Sequence, residues 1–164
     1  MLLLLIRHAI AEERGAKPDG LRALTEEGRR KIEKAYPNLC EALKHSSVRL
    51  ISSPLVRAQQ TSEVLETCLG IQMEQADWVV RGDTLELLKA VEHTQEEILM
   101  VVGHEPTLSD WCERFGFSVG WMKKGSIAFF QVNESIQPIG YVKVKDLMEG
   151  IPLNLYEIME EINT

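Results

Sequence analysis

Cysteine is scarce in this chain, basic residues are outnumbered, and no apolar run is long enough to cross a membrane. The 164 residues include three cysteines, Cys40, Cys68 and Cys112. The count is odd and none lies in a Cys-x-x-Cys pair, which speaks against a disulfide framework and against a structural zinc site. Buried thiols in a reducing cytoplasm are the expected form. Eighteen Lys and Arg stand against 25 Asp and Glu, a formal net charge of −7, and no basic stripe runs through the sequence. That balance excludes nucleic acid as an expected partner. It also means that an anionic ligand needs a locally positive site, because the molecule as a whole repels it. The apolar run Met1–Ile6 falls far short of the roughly 20 residues of a membrane span, and it lacks the basic leader and cleavage site of a signal peptide. With no repeat, linker or low-complexity tract, the length reads as one domain over residues 1–164, its tail 150–164 unassigned.

Buried strands and amphipathic helices are present in alternation. Leu2–Ile6, Val48–Ser52, Ile98–Val102 and Ser126–Val132 are nearly continuous apolar runs, as strands covered on both faces are. Gly140–Lys145 reads as a further strand at an edge. Thr25 caps a helix running towards Lys44 with Ile32, Leu39 and Leu43 on one face, and Pro37 predicts a kink or a split into two helices. Ser53-Pro54 reads as a helix start, cap before proline, for a helix ending near Gly70. Asp83–Val91, Pro106–Phe115 and an acidic Leu153–Ile162 segment complete the helices. The alternation predicts a three-layer α/β/α sandwich with a mostly parallel central sheet.

Ligands of such sheets sit outside the carboxyl ends of the strands. Arg7-His8 follows the first strand. Ser52-Ser53-Pro54, with Arg57 a turn later, follows the second, and Gly103-His104-Glu105-Pro106 follows the third. Two imidazoles, two guanidinium groups and two helix N-termini therefore converge on one edge. Arginine forks onto two oxygens at once, helix N-termini favour anions, and a neutral imidazole nitrogen is a competent nucleophile. The set describes a pocket for a phosphoryl group held without a metal. Taken singly, each feature has a plainer reading: a polar loop start, a capped helix with a surface arginine, a histidine at a turn.

Arg7-His8-Ala9, Asp19-Gly-Leu-Arg22-Ala-Leu-Thr25-Glu-Glu-Gly28, the Ser52–Thr61 block and Gly103-His104-Glu105-Pro106 together resemble the histidine phosphatase superfamily, which includes cofactor-dependent phosphoglycerate mutases. The short length and Arg-His-Ala look most like its SixA-type phosphohistidine phosphatase branch. The resemblance covers Leu2 to about Val132. It implies a phosphoglycerate mutase-like fold and no metal or organic cofactor. His8 would attack phosphorus and become phosphohistidine, Arg7 and Arg57 would bind phosphoryl oxygens, His104 would complete the pocket, and water would release phosphate. The implied partner is a phosphorylated substrate, a phosphohistidine-bearing protein being one form of it, met in the cytoplasm. The sequence leaves the oligomeric state open.

No clear proton donor accompanies these residues. Asp83 is the candidate, because it opens a helix where the family brings in its acid; a plain helix cap is the better explanation of it. Glu12, Glu13 and Glu105 rank lower. A phosphohistidine substrate needs less acid help, since its leaving group is an imidazole. Asp19 and Arg22 either pair structurally near the mouth or Arg22 helps hold substrate, and Lys123-Lys124 forms a solvated turn or meets an anionic partner. Two rivals remain: a phosphomonoesterase or mutase acting on a small phosphorylated metabolite, and a non-catalytic phosphate-binding module. Thr61 to Met100 leaves room for about two helices and a short strand, too little for the lid that a mutase carries. His8 has no purpose in a module that only binds.

Overall fold

A computed structural model describes residues 1–162. Strands β1 (Leu2–Arg7), β2 (Val48–Ser52), β3 (Met73–Gln75), β4 (Ile98–Gly103), β5 (Ile127–Val132) and β6 (Ile136–Val142) form one sheet in the order β3-β2-β4-β1-β5-β6. The first four in that order run parallel, and β5 and β6 are antiparallel additions. The connections carry helices α1 (Glu26–Ala42), α2 (Val56–Leu69), α3 (Asp77–Arg81), α4 (Thr84–His93) and α5 (Thr107–Arg114), and α6 (Val144–Met148) and α7 (Leu153–Ile162) follow the last strand.

Why the central strands are apolar throughout is visible in their alternation. Leu2, Leu4 and Ile6 of β1, with Ile98, Met100 and Val102 of β4, face α1, α2, α6 and α7. Leu3 and Leu5, with Leu99 and Val101, face α3, α4 and α5 around the buried Trp111. Side chains along a strand point to opposite faces, so a strand roofed on both sides needs an apolar residue at every position. The expected sandwich is the one observed.

Local expectations were displaced where packing outweighs propensity. Pro37 sits inside an unbroken α1. The lost N–H is tolerated because Ile32, Tyr36 and Leu39 pin that helix in the core, and Asn38 Nδ2 donates to Leu147 O at 2.6 Å. The helix expected from Pro54 begins at Val56, because the Ser53 hydroxyl is used elsewhere, as described below. The helix after His104 begins at Thr107, and the Glu105–Pro106 peptide is cis. The edge strand ends at Val142, and Val144 starts α6, placing Val144 and Leu147 on one helical face in the core. Trp111 is core and Trp121 is 66% exposed.

The cysteine reading needs correction. Cys40 of α1 and Cys68 of α2 are joined in a disulfide, 28 residues apart in sequence with Cα atoms 6.0 Å apart, while Cys112 is free and buried. An odd count hides a pair that only the packing of two helices brings together. Among the described residues no helix is long and apolar enough to cross a membrane.

Candidate active site

The register of the parallel strands aligns three chain segments. Arg7 is level with Gly103 and Ser52 with Val102. Beyond the ladder the alignment continues: His8 N–H donates to Gly103 O at 3.1 Å and Ser53 N–H to Val102 O at 3.0 Å. Gly103 must lack a side chain here, since a Cβ would lie 2.9 Å from Val79 Cγ1 of α3. The segment after His8 is tied down from α2, where buried Thr61 accepts the Ala9 N–H at 3.0 Å and donates to Arg57 O at 2.8 Å.

The two imidazoles therefore meet, with ring centroids 5.3 Å apart and planes tilted by 50°. His8 is buried, and its Nδ1 lies 2.7 Å from Ala9 O. A carbonyl only accepts, so Nδ1 carries the hydrogen and Nε2 keeps its lone pair. Burial pulls the His8 pKa down to about 3; the Ala9 hydrogen bond opposes this, and His104, Arg57 and Arg7 lower it further. The ring is neutral and nucleophilic across the physiological range.

His104 Nε2 lies 2.6 Å from Ser53 Oγ, which accepts the Leu55 N–H at 3.2 Å. The hydroxyl hydrogen is thus free to donate to Nε2, which assigns the imidazole hydrogen to Nδ1. Burial first, then Arg57, Arg7 and Arg22 against the opposing Asp19, lower the His104 pKa to about 4. His104 is consequently a neutral donor through Nδ1.

Arg57 is buried, its NH1 on Asp19 O at 2.8 Å and its NH2 on Asp19 Oδ2 at 3.2 Å. Arg22, also buried, holds the same carboxylate through Nε at 3.0 Å and Glu12 O through NH1 at 2.8 Å. Asp19 is therefore a shared anchor for two arginines. Arg7 NH1 donates to Met122 O at 2.5 Å. Three buried donors, Arg7 Nε, Arg57 Nε and His104 Nδ1, have no partner among the described residues. Buried polar groups are satisfied as a rule, so three unmatched donors on three converging residues suit an oxyanion.

Asp83 caps α4, Oδ1 accepting the Glu86 N–H at 3.2 Å, and no hydrogen bond or ion pair joins it to Arg7, His8, Arg57 or His104 among the described residues. Glu12 is engaged with Lys17 and the Ala23 N–H. Glu105, ranked lower from sequence, is the carboxyl that interacts with Arg7. Burial raises its pKa, Oε1 is buried without a hydrogen-bond partner among the described residues, and Oε2 contacts Ser109 Oγ. The single Ser109 hydrogen is also within reach of Gly120 O at 2.6 Å. One hydroxyl hydrogen serves one acceptor at a time, so Ser109 is shared between the Glu105 carboxyl and Gly120 O. The sequence names the four converging residues and the Asp19–Arg22 pair near the mouth; Ser53 and Thr61 as supports of the site carry no sequence signal beyond lying inside the same motif block.

The comparisons with known proteins agree with this geometry. The sequence profile of the histidine phosphatase superfamily, branch 1, matches residues 3–78. An uncharacterized protein of Picosynechococcus sp. is 32% identical over 123 residues, covering 71% of this chain and 74% of the relative. In fold, the chain is similar to the protein histidine phosphatase SixA complexed with tungstate, with TM-score 0.72, 21% identity, and 90% and 99% of the two chains covered. It is also similar to a phosphoserine phosphatase from Entamoeba histolytica in complex with 3-phosphoglyceric acid, with TM-score 0.66, 13% identity, and 89% and 98% covered. The chain belongs to the histidine phosphatase superfamily and is one of its enzymes.

Proposed function

We propose that this enzyme removes phosphate from phosphohistidine on a protein, through a covalent phosphohistidine on His8. The observation that carries the reading is the His8 imidazole itself: Nδ1–H fixed on Ala9 O, pKa about 3, beside Arg7, Arg57 and His104. Nε2 attacks phosphorus. The P–N bond of the substrate breaks, and its imidazole leaves with the electron pair and takes a proton from water. A second water then attacks the phosphorus on His8, gives up a proton, and returns His8 with its pair. Through both steps Arg7, Arg57 and the His104 Nδ1–H balance charge on the phosphoryl oxygens, the group that benefits most from preorganised donors.

The choice of a phosphoramidate is supported by the carboxyls. Asp83 is spent on a cap and Glu105 on Ser109, which leaves no acid aimed at an ester oxygen, and an imidazole departs without one. The likeness in fold to SixA points the same way, while the likeness to the phosphoserine phosphatase keeps small phosphomonoesters as the rival.

Incubation with a phosphohistidine-bearing protein labelled in its phosphoryl group, followed by quenching in base, tests this. Acid-labile label is expected on the wild type, transient and followed by free phosphate, and none on His8→Ala. Label that forms and never turns over would make the protein a carrier or mutase. Phosphate binding without label or release would reduce it to a docking module.

A further inference from the structure

Beside the His8 pocket lies an open cleft of about 700 Å³. Five of the nine lysines of the chain, Lys31, Lys123, Lys124, Lys143 and Lys145, line it together with Arg7. Its apolar lining includes Ile32, Val144 and Met148. The lysines come from α1, the turn before β5 and the start of α6, so the sequence shows no basic run and only the fold assembles one. Lys31 pairs with Glu27 at 3.0 Å. The other four have no ion pair among the described residues, whereas Lys17, Lys44 and Lys89 each hold a carboxylate. On a protein of net charge −7, unpaired ammonium groups gathered at one place form the local positive field that an anionic partner requires.

The cleft adjoins the reactive residue, because Arg7 and Ala9, on either side of His8 in sequence, both line it. Arg7 belongs to both cleft and pocket, so the cleft is a surface next to the pocket on which the remainder of a phosphorylated molecule can rest. The chemistry of the rim specifies that remainder. Arginine forks and backbone N–H groups grip one compact oxyanion; lysines are point charges on flexible stems, which suit several carboxylates spread along a chain. The apolar floor takes the aliphatic side chains between them.

We infer that this cleft is a substrate-docking subsite that takes an acidic stretch of polypeptide bordering the phosphorylated residue. The inference rests on the phosphohistidine phosphatase reading of the His8 site and names what that site selects.

Two phosphohistidine peptides of equal length test it, one flanked by Asp, Glu and Leu, the other with each carboxylate replaced by its amide. The acidic peptide is expected to have a kcat/KM about tenfold higher at low ionic strength, an advantage that shrinks with salt. In a Lys123→Glu, Lys143→Glu variant, both changes being at exposed rim positions, the acidic-to-amide ratio should fall by about tenfold or more. A wild-type ratio near unity, or a ratio that the variant does not move, overturns the subsite. Anisotropy of a labelled, unphosphorylated acidic peptide reads docking without turnover. If neither peptide is hydrolysed but the acidic one binds and the variant loses that binding, the catalytic reading fails and the subsite stands. If both peptides are hydrolysed equally, the subsite fails and the catalytic reading stands. Binding of tripolyphosphate to these lysines with no binding of the acidic peptide would assign the cleft to a small polyanion and also overturn the inference.

Discussion

Arg57 shows how much a single side chain does in this pocket. Its two terminal nitrogens are committed to Asp19, which leaves Nε as a buried donor without a partner among the described residues. One guanidinium thus anchors itself and still presents an N–H. Lysine has one nitrogen and cannot do both. Arg57→Lys is therefore expected to lower kcat by about 10²-fold, the usual cost of losing one preorganised donor to the transition state. The loss of one charged hydrogen-bond pair should cost about 1–3 kcal/mol of stability. Steady-state turnover compared with urea unfolding of the same preparation checks the split. A variant that unfolds readily yet keeps its activity per folded molecule would make Arg57 structural. At this scale the sequence placed Arg7, His8, Arg57 and His104 at one sheet edge, because they follow, directly or within a helical turn, apolar runs that form buried strands. For Asp83 the preferred reading, a helix cap, is the one present, while Glu105 was ranked low because its neighbours Arg7 and Ser109 are revealed only by folding.

Among the elements, α1 bears most directly on the site. Thr25 caps it by accepting the Gly28 N–H at 3.0 Å, and Thr25 N–H donates to Ile10 O at 2.9 Å, so the helix stands on the segment that leaves His8. A Cβ at position 28 would lie 2.3 Å from Ile10 O. Gly28→Ala sets a helix-propensity gain of at most about 1 kcal/mol against displacement of backbone two residues from His8. Overpacking of this kind costs about 1–3 kcal/mol, so the contact wins. The variant should melt at lower temperature and turn over more slowly at saturating substrate. A higher melting temperature with full kcat would show that Ile10 yields freely. Sequence periodicity located α1 and its cap correctly, yet it overstated Pro37, whose defect the flanking core residues absorb. It also missed the Cys40–Cys68 link between α1 and α2, because linear spacing holds no information about which helices pack together. The same blindness concealed the lysine cleft, whose members lie on three separate segments.

For the whole molecule, the neutral histidines couple function to acid sensitivity. Both rings have an ordinary pKa of 6.5 when unfolded, and in the fold burial holds His8 near about 3 and His104 near about 4. Between these values and 6.5 the unfolded chain binds protons that the folded chain refuses. Stability therefore rises with pH through that window and is lost as pH falls below 6.5, each group contributing up to about 1.4 kcal/mol per pH unit. A fold that keeps two imidazoles unprotonated by dehydrating them must become easier to unfold in acid. Urea unfolding of the wild type from pH 7 to pH 4 should show a steady decline in free energy. The His8→Ala, His104→Ala double variant should show a shallower decline, whatever its absolute stability, because two proton-binding sites have been removed from its unfolded state. Oxyanion binding to the pocket, assayed with tungstate, should protect the wild type and leave the double variant unprotected. If the two proteins lose stability in parallel as the pH falls, the two imidazoles are not held neutral by burial, and the account of His8 as a ready nucleophile fails with them.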